Sequence, residues 1–113
     1  MKKLIIVLLL AGCSGKHIDN PYLDITLKSN EISFRNTSVD PVFTFIIIDE
    51  RVVHNRAVME YTRYVQKSFT LKIGETKKVT FKGRIEVRFI RTCLIVQSRL
   101  DYCVQKEYSK DYL

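Results

Sequence analysis

Apolar and polar side chains alternate one residue at a time over residues 79–89, and this pattern constrains the fold more than any other. The odd positions are apolar, apart from Gly83, and the even positions are polar or charged. Successive side chains of a β-strand point to opposite faces, so each half of the stretch is expected to be a strand. A turn at Gly83 would keep the same parity on both sides. Residues 77–89 are therefore predicted to form a β-hairpin with one dry face and one basic face.

Other short runs have β character. Residues 23–28 and 31–35 alternate in the same way. Residues 42–48 form the most hydrophobic run of the mature chain, interrupted only by Thr44, which is typical of a central strand buried on both faces. A strand ending near Ile73 and two strands flanking residues 97–99 complete the set. The chain is thus predicted to be all-β, as a small antiparallel β-sandwich of about seven strands. A small closed barrel is the alternative.

The segment of residues 52–66 has no clear period. Val53, Ala57, Tyr61 and Val65 recur at helical spacing, although the stretch could also pair as a strand. We expect an irregular crossing or a short helical turn, followed by a strand from about Tyr64.

The amino-terminal residues have the order of an export signal. Lys2 and Lys3 precede an apolar run over residues 4–11, which is far short of the roughly 20 residues that a membrane-spanning helix needs. The run ends in Leu10-Ala11-Gly12-Cys13, which resembles the lipobox of bacterial lipoproteins. A simple secretory signal with a chance cysteine is the alternative.

The lipoprotein resemblance implies an address and an anchor. It implies cleavage before Cys13, a thioether-linked diacylglycerol and an amide-linked acyl chain such as palmitate on that residue. Ser14, rather than Asp, after the cysteine implies the outer membrane, with the domain facing the periplasm. We therefore expect a signal peptide over residues 1–12, a lipidated flexible tether over residues 13–21 and the β-sandwich domain over residues 22–113. About 100 mature residues suffice for one domain and are too few for two.

The two remaining cysteines are expected to form a disulfide. With Cys13 lipidated, Cys93 and Cys103 are left as a pair in an oxidising compartment. In a hairpin centred on Ser98 they would lie opposite one another, close enough to be bridged. A redox-active pair is the alternative, but the spacing is not Cys-x-x-Cys.

A series of segments carries a second resemblance. The series is similar to one found in small immunoglobulin-like domains of bacterial envelope proteins, and its members are Phe34-Arg35-Asn36, the apolar run that ends at Asp49, Leu71-Lys72-Ile73-Gly74-Glu75-Thr76 and Val79-Thr80-Phe81. The resemblance implies an immunoglobulin-like sandwich and does not specify a function.

The sequence holds no recognisable catalytic or cofactor motif. His17 and His54 have no partner at metal-ligand spacing, and no phosphate loop, nucleophile elbow or His-Glu-x-x-His segment occurs. We expect no metal, no cofactor and no enzymatic activity.

The formal charge of +7 directs attention to acidic partners. An exported chain rarely meets nucleic acid, so the candidates are lipid headgroups, lipopolysaccharide, peptidoglycan or an acidic protein. The predicted basic face of the hairpin, formed by Lys78, Lys82, Arg84 and Arg88, is the candidate docking surface. A solvated strand face is the alternative.

These observations favour a non-enzymatic lipoprotein of the outer membrane. Its sandwich would bind another envelope component, as an accessory to a secretion or assembly machine. The alternatives are a protective lipoprotein of the immunity, exclusion or inhibitor type, or direct contact with lipopolysaccharide or peptidoglycan through the basic face.

Overall fold

The computed structural model describes residues 15–54 and 59–108, and these residues form eight β-strands without a helix. No stretch within those ranges therefore has the helical length and apolar content needed to cross a membrane. The strands are β1 (Lys16–Ile18), β2 (Leu23–Leu27), β3 (Glu31–Asn36), β4 (Val42–His54), β5 (Met59–Leu71), β6 (Thr76–Thr80), β7 (Arg84–Val96) and β8 (Arg99–Glu107).

The strands form two antiparallel four-stranded sheets that face each other. Sheet 1 has the order β1-β2-β3-β6, and sheet 2 has the order β5-β4-β7-β8. The predicted all-β sandwich is confirmed, with eight strands rather than about seven. The chain passes from one sheet to the other three times, between β3 and β4, between β5 and β6, and between β6 and β7.

The core lies between the two sheets and follows the period-2 pattern. Sheet 1 contributes alternate residues of β2 and β3, and sheet 2 contributes the even-numbered residues of β4. The most deeply buried apolar side chains are Ile25, Ile32, Phe34, Val42, Ile46, Ile48, Leu71, Ile85 and Val87. The rings of Phe34 and Phe69 meet edge-to-face across the sandwich at 5.2 Å.

The predicted hairpin over residues 77–89 is wrong. β6 pairs with β3 in sheet 1, whereas β7 pairs with β4 and β8 in sheet 2. Val79 and Val87 are both buried, but they enter the core from opposite sheets. The alternation of apolar and polar residues indicates only that the odd-numbered side chains face an apolar layer. A hairpin and a crossing between two facing sheets give the same parity, so the pattern could not distinguish them.

The crossing from β6 to β7 depends on a close backbone approach at Gly83. The amide of Gly83 donates to Oε2 of Glu50 over 2.9 Å, and a Cβ at this position would overlap the carbonyl oxygen of Arg51. The same crossing is held to the β2–β3 turn, because the amide of Phe81 donates to the Asn30 carbonyl and that of Ile85 to the Ser29 carbonyl.

The expected irregular or helical segment is wrong over residues 52–54 and 59–63, whereas the expected strand from about Tyr64 is confirmed. Residues 55–58 lie outside the described residues. β4 and β5 pair continuously from Val42↔Leu71 to His54↔Met59. A spacing of four residues keeps the same parity, so positions such as Tyr61 and Val65 fit one face of a strand as well as one face of a helix. The strand pairing prevails because Val65 lies opposite Ile48 and packs against the core.

The structure also differs from the expected flexible tether. Lys16–Ile18 forms β1, which pairs with β2, and Ile18 is buried in the core. Asn20 then closes the β1–β2 connection, since its Oδ1 accepts the amides of Tyr22 and Leu23 and its Nδ2 donates to Oγ1 of Thr92 over 3.0 Å. Residues 16–18 are therefore part of the folded domain rather than of a flexible tether.

Candidate functional site

The proposed lipidation residue, Cys13, lies outside the described residues. The disulfide expectation is confirmed, because Cys93 and Cys103 are bonded across β7 and β8 with their Cα atoms 4.1 Å apart. The bond closes a loop at the edge of sheet 2.

The hairpin that carries the disulfide is not centred on Ser98 as expected. Val96 pairs with Arg99, so Gln97 and Ser98 form a two-residue turn, and both have positive φ, as in a type I′ turn. The register then shifts by one residue between Thr92 and Leu94. Tyr102, with φ 51°, is the extra residue of this bulge. The bulge brings Cys103 opposite Cys93.

The structure does not bring the four predicted docking cations onto one face. Lys78 pairs with Ser33 on the outer face of sheet 1. Lys82 lies in the crossing between the sheets, and Arg84 opens β7 in sheet 2. Because residues 77–89 change sheets, their even-numbered side chains face opposite sides of the sandwich.

The fourth predicted cation, Arg88, is engaged within the domain. Its Nε lies 3.3 Å from Oδ2 of Asp49, and its side chain is only 31% exposed. Its Nη1 is buried and makes no hydrogen bond with any described residue. Arg88 also occupies the register shift where β7 passes Ile47 and Ile48 of β4. It therefore contributes little to an open cationic surface.

Lys82 and Arg84 instead join two cations from elsewhere in the chain. We define the basic end as the exposed residues Lys16, Lys28, Lys82 and Arg84, which lie at one end of the sandwich. Lys16 pairs with Leu27 at the end of β2, and Lys28 follows in the β2–β3 turn. That turn is hydrogen-bonded to the crossing that holds Lys82 and Arg84.

Two of the described carboxylates at the basic end are engaged. Oε2 of Glu31 lies 3.9 Å from Nζ of Lys28, and Glu50 is buried against the amide of Gly83. Glu86 lies beside Arg84 around a shallow pocket on the outer face of sheet 2. Sequence reasoning missed Lys16 and Lys28 because their proximity to Lys82 depends on the sheet pairing.

The outer face of sheet 2 carries a second unusual surface. Phe43, Phe45 and Ile47 of β4 alternate with the buried residues of that strand and are half-buried on the side away from the core. Phe89 of β7 joins them, with its ring centroid 6.0 Å from that of Phe45. The corresponding face of sheet 1 carries Asp24, Thr26, Ser33, Arg35 and Lys78. One sandwich face is thus polar, whereas the other has an apolar centre.

A concavity of about 430 Å³ lies beside this apolar centre. Its lining residues are Ile47, Tyr64, Arg88, Phe89, Glu107 and Tyr108. Tyr64 is 60% exposed, and its hydroxyl accepts a hydrogen bond from Nε2 of Gln66 over 2.8 Å. The surface therefore combines an apolar floor with a rim of phenol, amide and charged groups, which we call the sheet 2 patch.

The remaining candidate groups form no catalytic arrangement in the part of the chain that the structure describes. His17 forms an exposed pair with Asp24 at 3.4 Å. Asp49 and Glu50 face opposite sides of sheet 2, with Asp49 paired to Arg88 and Glu50 buried. No group of three or more potential metal ligands occurs among the described residues.

No protein-family model matches the chain, and neither a curated protein nor a solved structure shows significant similarity to it.

Proposed function

We propose that this chain is a non-enzymatic lipoprotein, anchored in the outer membrane through Cys13 and facing the periplasm. Its sandwich serves as a binding module for another protein of the envelope, as an accessory to a secretion or assembly machine. The sheet 2 patch is the surface that binds this partner.

The observation that carries the proposal is the difference between the two outer faces of the sandwich. Outward-facing positions of a sandwich strand are usually polar, and sheet 1 follows this rule. β4 instead places Phe43, Phe45 and Ile47 outward, where solvent reaches part of each side chain. Apolar patches with polar rims mark protein interaction sites. Aromatic residues and arginine are also enriched at such interfaces, and the patch holds Phe45, Phe89, Tyr64 and Arg88.

The disulfide supports export of the chain. Disulfides persist in oxidising compartments such as the periplasm and are rare in the cytosol. The Cys93–Cys103 bond therefore agrees with the proposed export of the mature chain.

Direct contact with lipopolysaccharide or peptidoglycan through Lys78, Lys82, Arg84 and Arg88 is the less favoured function. These four residues lie on two sheets and the crossing between them, and Arg88 is paired with Asp49. A single planar polyanion could not contact all four at once.

The test is purification of the tagged lipoprotein after crosslinking in cells, with Cys13→Ser as the control. The proposal predicts a mass for the mature chain that includes lipid on Cys13, recovery in the outer-membrane fraction, and a specific envelope protein in the crosslinked product. A mature chain without lipid, or one with no crosslinked protein above background, would overturn it.

A further inference from the structure

We infer that the basic end is a docking surface for anionic phospholipid headgroups of the leaflet that holds the anchor. The inference rests on the proposed lipidation of Cys13, and it adds the orientation of the anchored domain.

Only Ser14 separates Cys13 from the first described residue, Gly15. Gly15 lies against the β2–β3 turn, because a Cβ on it would be 3.3 Å from Cγ of Lys28. Consecutive Cα atoms of an extended chain advance at most about 3.6 Å, so Cys13 reaches no more than roughly 7 Å from Gly15. A lipid on Cys13 therefore holds the basic end against the headgroups.

The basic end has the charge needed to bind an anionic leaflet. The headgroup layer of an anionic leaflet attracts basic residues that lie within about one Debye length of it. Lys16, Lys28, Lys82 and Arg84 are all exposed at the end of the domain where the chain leaves toward Cys13. Of the described carboxylates near them, Glu50 is buried and Glu31 is paired with Lys28, whereas Glu86 lies beside Arg84.

The β4–β5 hairpin extends beyond β7 at the basic end. Its strands stay paired past Arg51, the last residue of β4 that pairs with β7, through Arg51↔Arg84. Three further pairs, from Val52↔Tyr61 to His54↔Met59, extend from the basic end in the direction of the proposed membrane. Tyr61 is 49% exposed on this extension. Tyrosine side chains favour the membrane–water interface, where the ring meets apolar chains and the hydroxyl stays hydrated.

The test is lysine footprinting of the lipidated full-length mature protein in vesicles, read by mass spectrometry. One vesicle type contains phosphatidylcholine alone, and the other also contains phosphatidylglycerol. A membrane-impermeant amine reagent reports Lys16, Lys28 and Lys82, while Lys72, exposed in the β5–β6 turn at the opposite end, is the internal control. Each basic residue near an anionic surface strengthens attachment by roughly fivefold. In anionic vesicles the three lysines should therefore react at least about fivefold more slowly relative to Lys72.

Charge reversal provides the matched variants. Lys28→Glu with Lys82→Glu should abolish the protection of Lys16 in anionic vesicles, whereas Lys78→Glu with Arg99→Glu, both exposed outside the basic end, should leave it intact and keep Lys72 as the reference. Equal reactivity in both vesicle types, or equal effects of the two double variants, would overturn the docking.

Lipidation is measured separately, by intact mass and by flotation with the vesicles. A chain without lipid on Cys13 overturns the proposed function and this inference together. A lipidated chain that floats but leaves the three lysines unprotected overturns the docking alone.

Discussion

The side-chain amide of Asn36 joins the two sheets by donating a hydrogen bond from Nδ2 to the carbonyl oxygen of Leu71, over 3.1 Å. Asn36 ends β3 in sheet 1, and Leu71 ends β5 in sheet 2. The same Nδ2 donates to the Asp40 carbonyl at 2.9 Å, and Oδ1 accepts from the amide and hydroxyl of Ser38. Asn36 is only 2% exposed, and its hydrogen bonds organise the connection to β4.

Replacement of Asn36 by alanine should lower the free energy of unfolding by about 2–3 kcal/mol, because it leaves the buried Leu71 carbonyl without its donor. Chemical denaturation of the oxidised protein measures this. Asn30→Ala is the matched control, since Asn30 is exposed and only its backbone carbonyl has a described role; its effect should stay within about 0.5 kcal/mol. Similar losses in both variants would contradict the assigned role of Asn36.

The two turn glycines should respond differently to alanine. Gly83→Ala should cost about 2–3 kcal/mol, because its Cβ would overlap the Arg51 carbonyl and force β4 or the crossing to shift. Gly74 has φ 78° but open space around it, so Gly74→Ala should cost only about 1–2 kcal/mol from the left-handed backbone. Thermal and urea unfolding of the two variants provide the comparison. A Gly83→Ala protein as stable as wild type would show that the crossing is looser than described.

The disulfide should contribute a moderate, entropic stabilisation. Removal of the bond in the double variant Cys93→Ala/Cys103→Ala should lower the free energy of unfolding by about 2–3 kcal/mol, as expected for a loop this short. Wild-type protein unfolded with and without a reductant gives an independent measure. If the double variant and the reduced protein both unfold at the wild-type denaturant midpoint, the bond does not stabilise the fold.

Substitutions at the two residues of the β7–β8 turn should raise the stability of the protein. Gln97 and Ser98 both occupy positive φ, which Asn and Gly adopt at lower cost. The variant Gln97→Asn/Ser98→Gly should therefore gain about 1 kcal/mol, measured as a higher denaturant midpoint with an unchanged slope. A matched change at exposed strand positions, Lys106→Asn with Glu107→Gly, should be destabilising instead. A loss of stability in the turn variant would indicate another turn geometry.

The strand content was predictable because alternation is a local property. Residues 23–28 and 31–35 became β2 and β3, and the apolar run from Val42 became the central strand of sheet 2. The cysteine pair was predictable from spacing, although the bulge at Tyr102 that aligns it was not. The one-residue register shift depends on a positive φ at Tyr102, and tyrosine has no preference for that backbone conformation.

The sequence does not reveal which sheet each strand joins, and the positions of the cations depend on that assignment. Parity could not show that Val79 and Val87 enter the core from opposite sides, so the four cations at the even positions were wrongly grouped. Lys16 and Lys28 lie at the same end of the domain as Lys82 because β1 pairs with β2 and the β2–β3 turn is hydrogen-bonded to the crossing from β6 to β7. Residues 16–18 escaped because three residues are too few for a detectable period.

Site-specific photo-crosslinking in cells shows directly whether the sheet 2 patch binds an envelope protein. A benzophenone amino acid replaces Tyr64, at the rim of the patch, or Arg35, exposed on the polar outer face of sheet 1. Cys13 is intact in both variants, and equal expression and outer-membrane recovery are checked. The account predicts a light-dependent adduct of one discrete mass from position 64 and none from position 35. No adduct from position 64, or the same adduct from both positions, would contradict it.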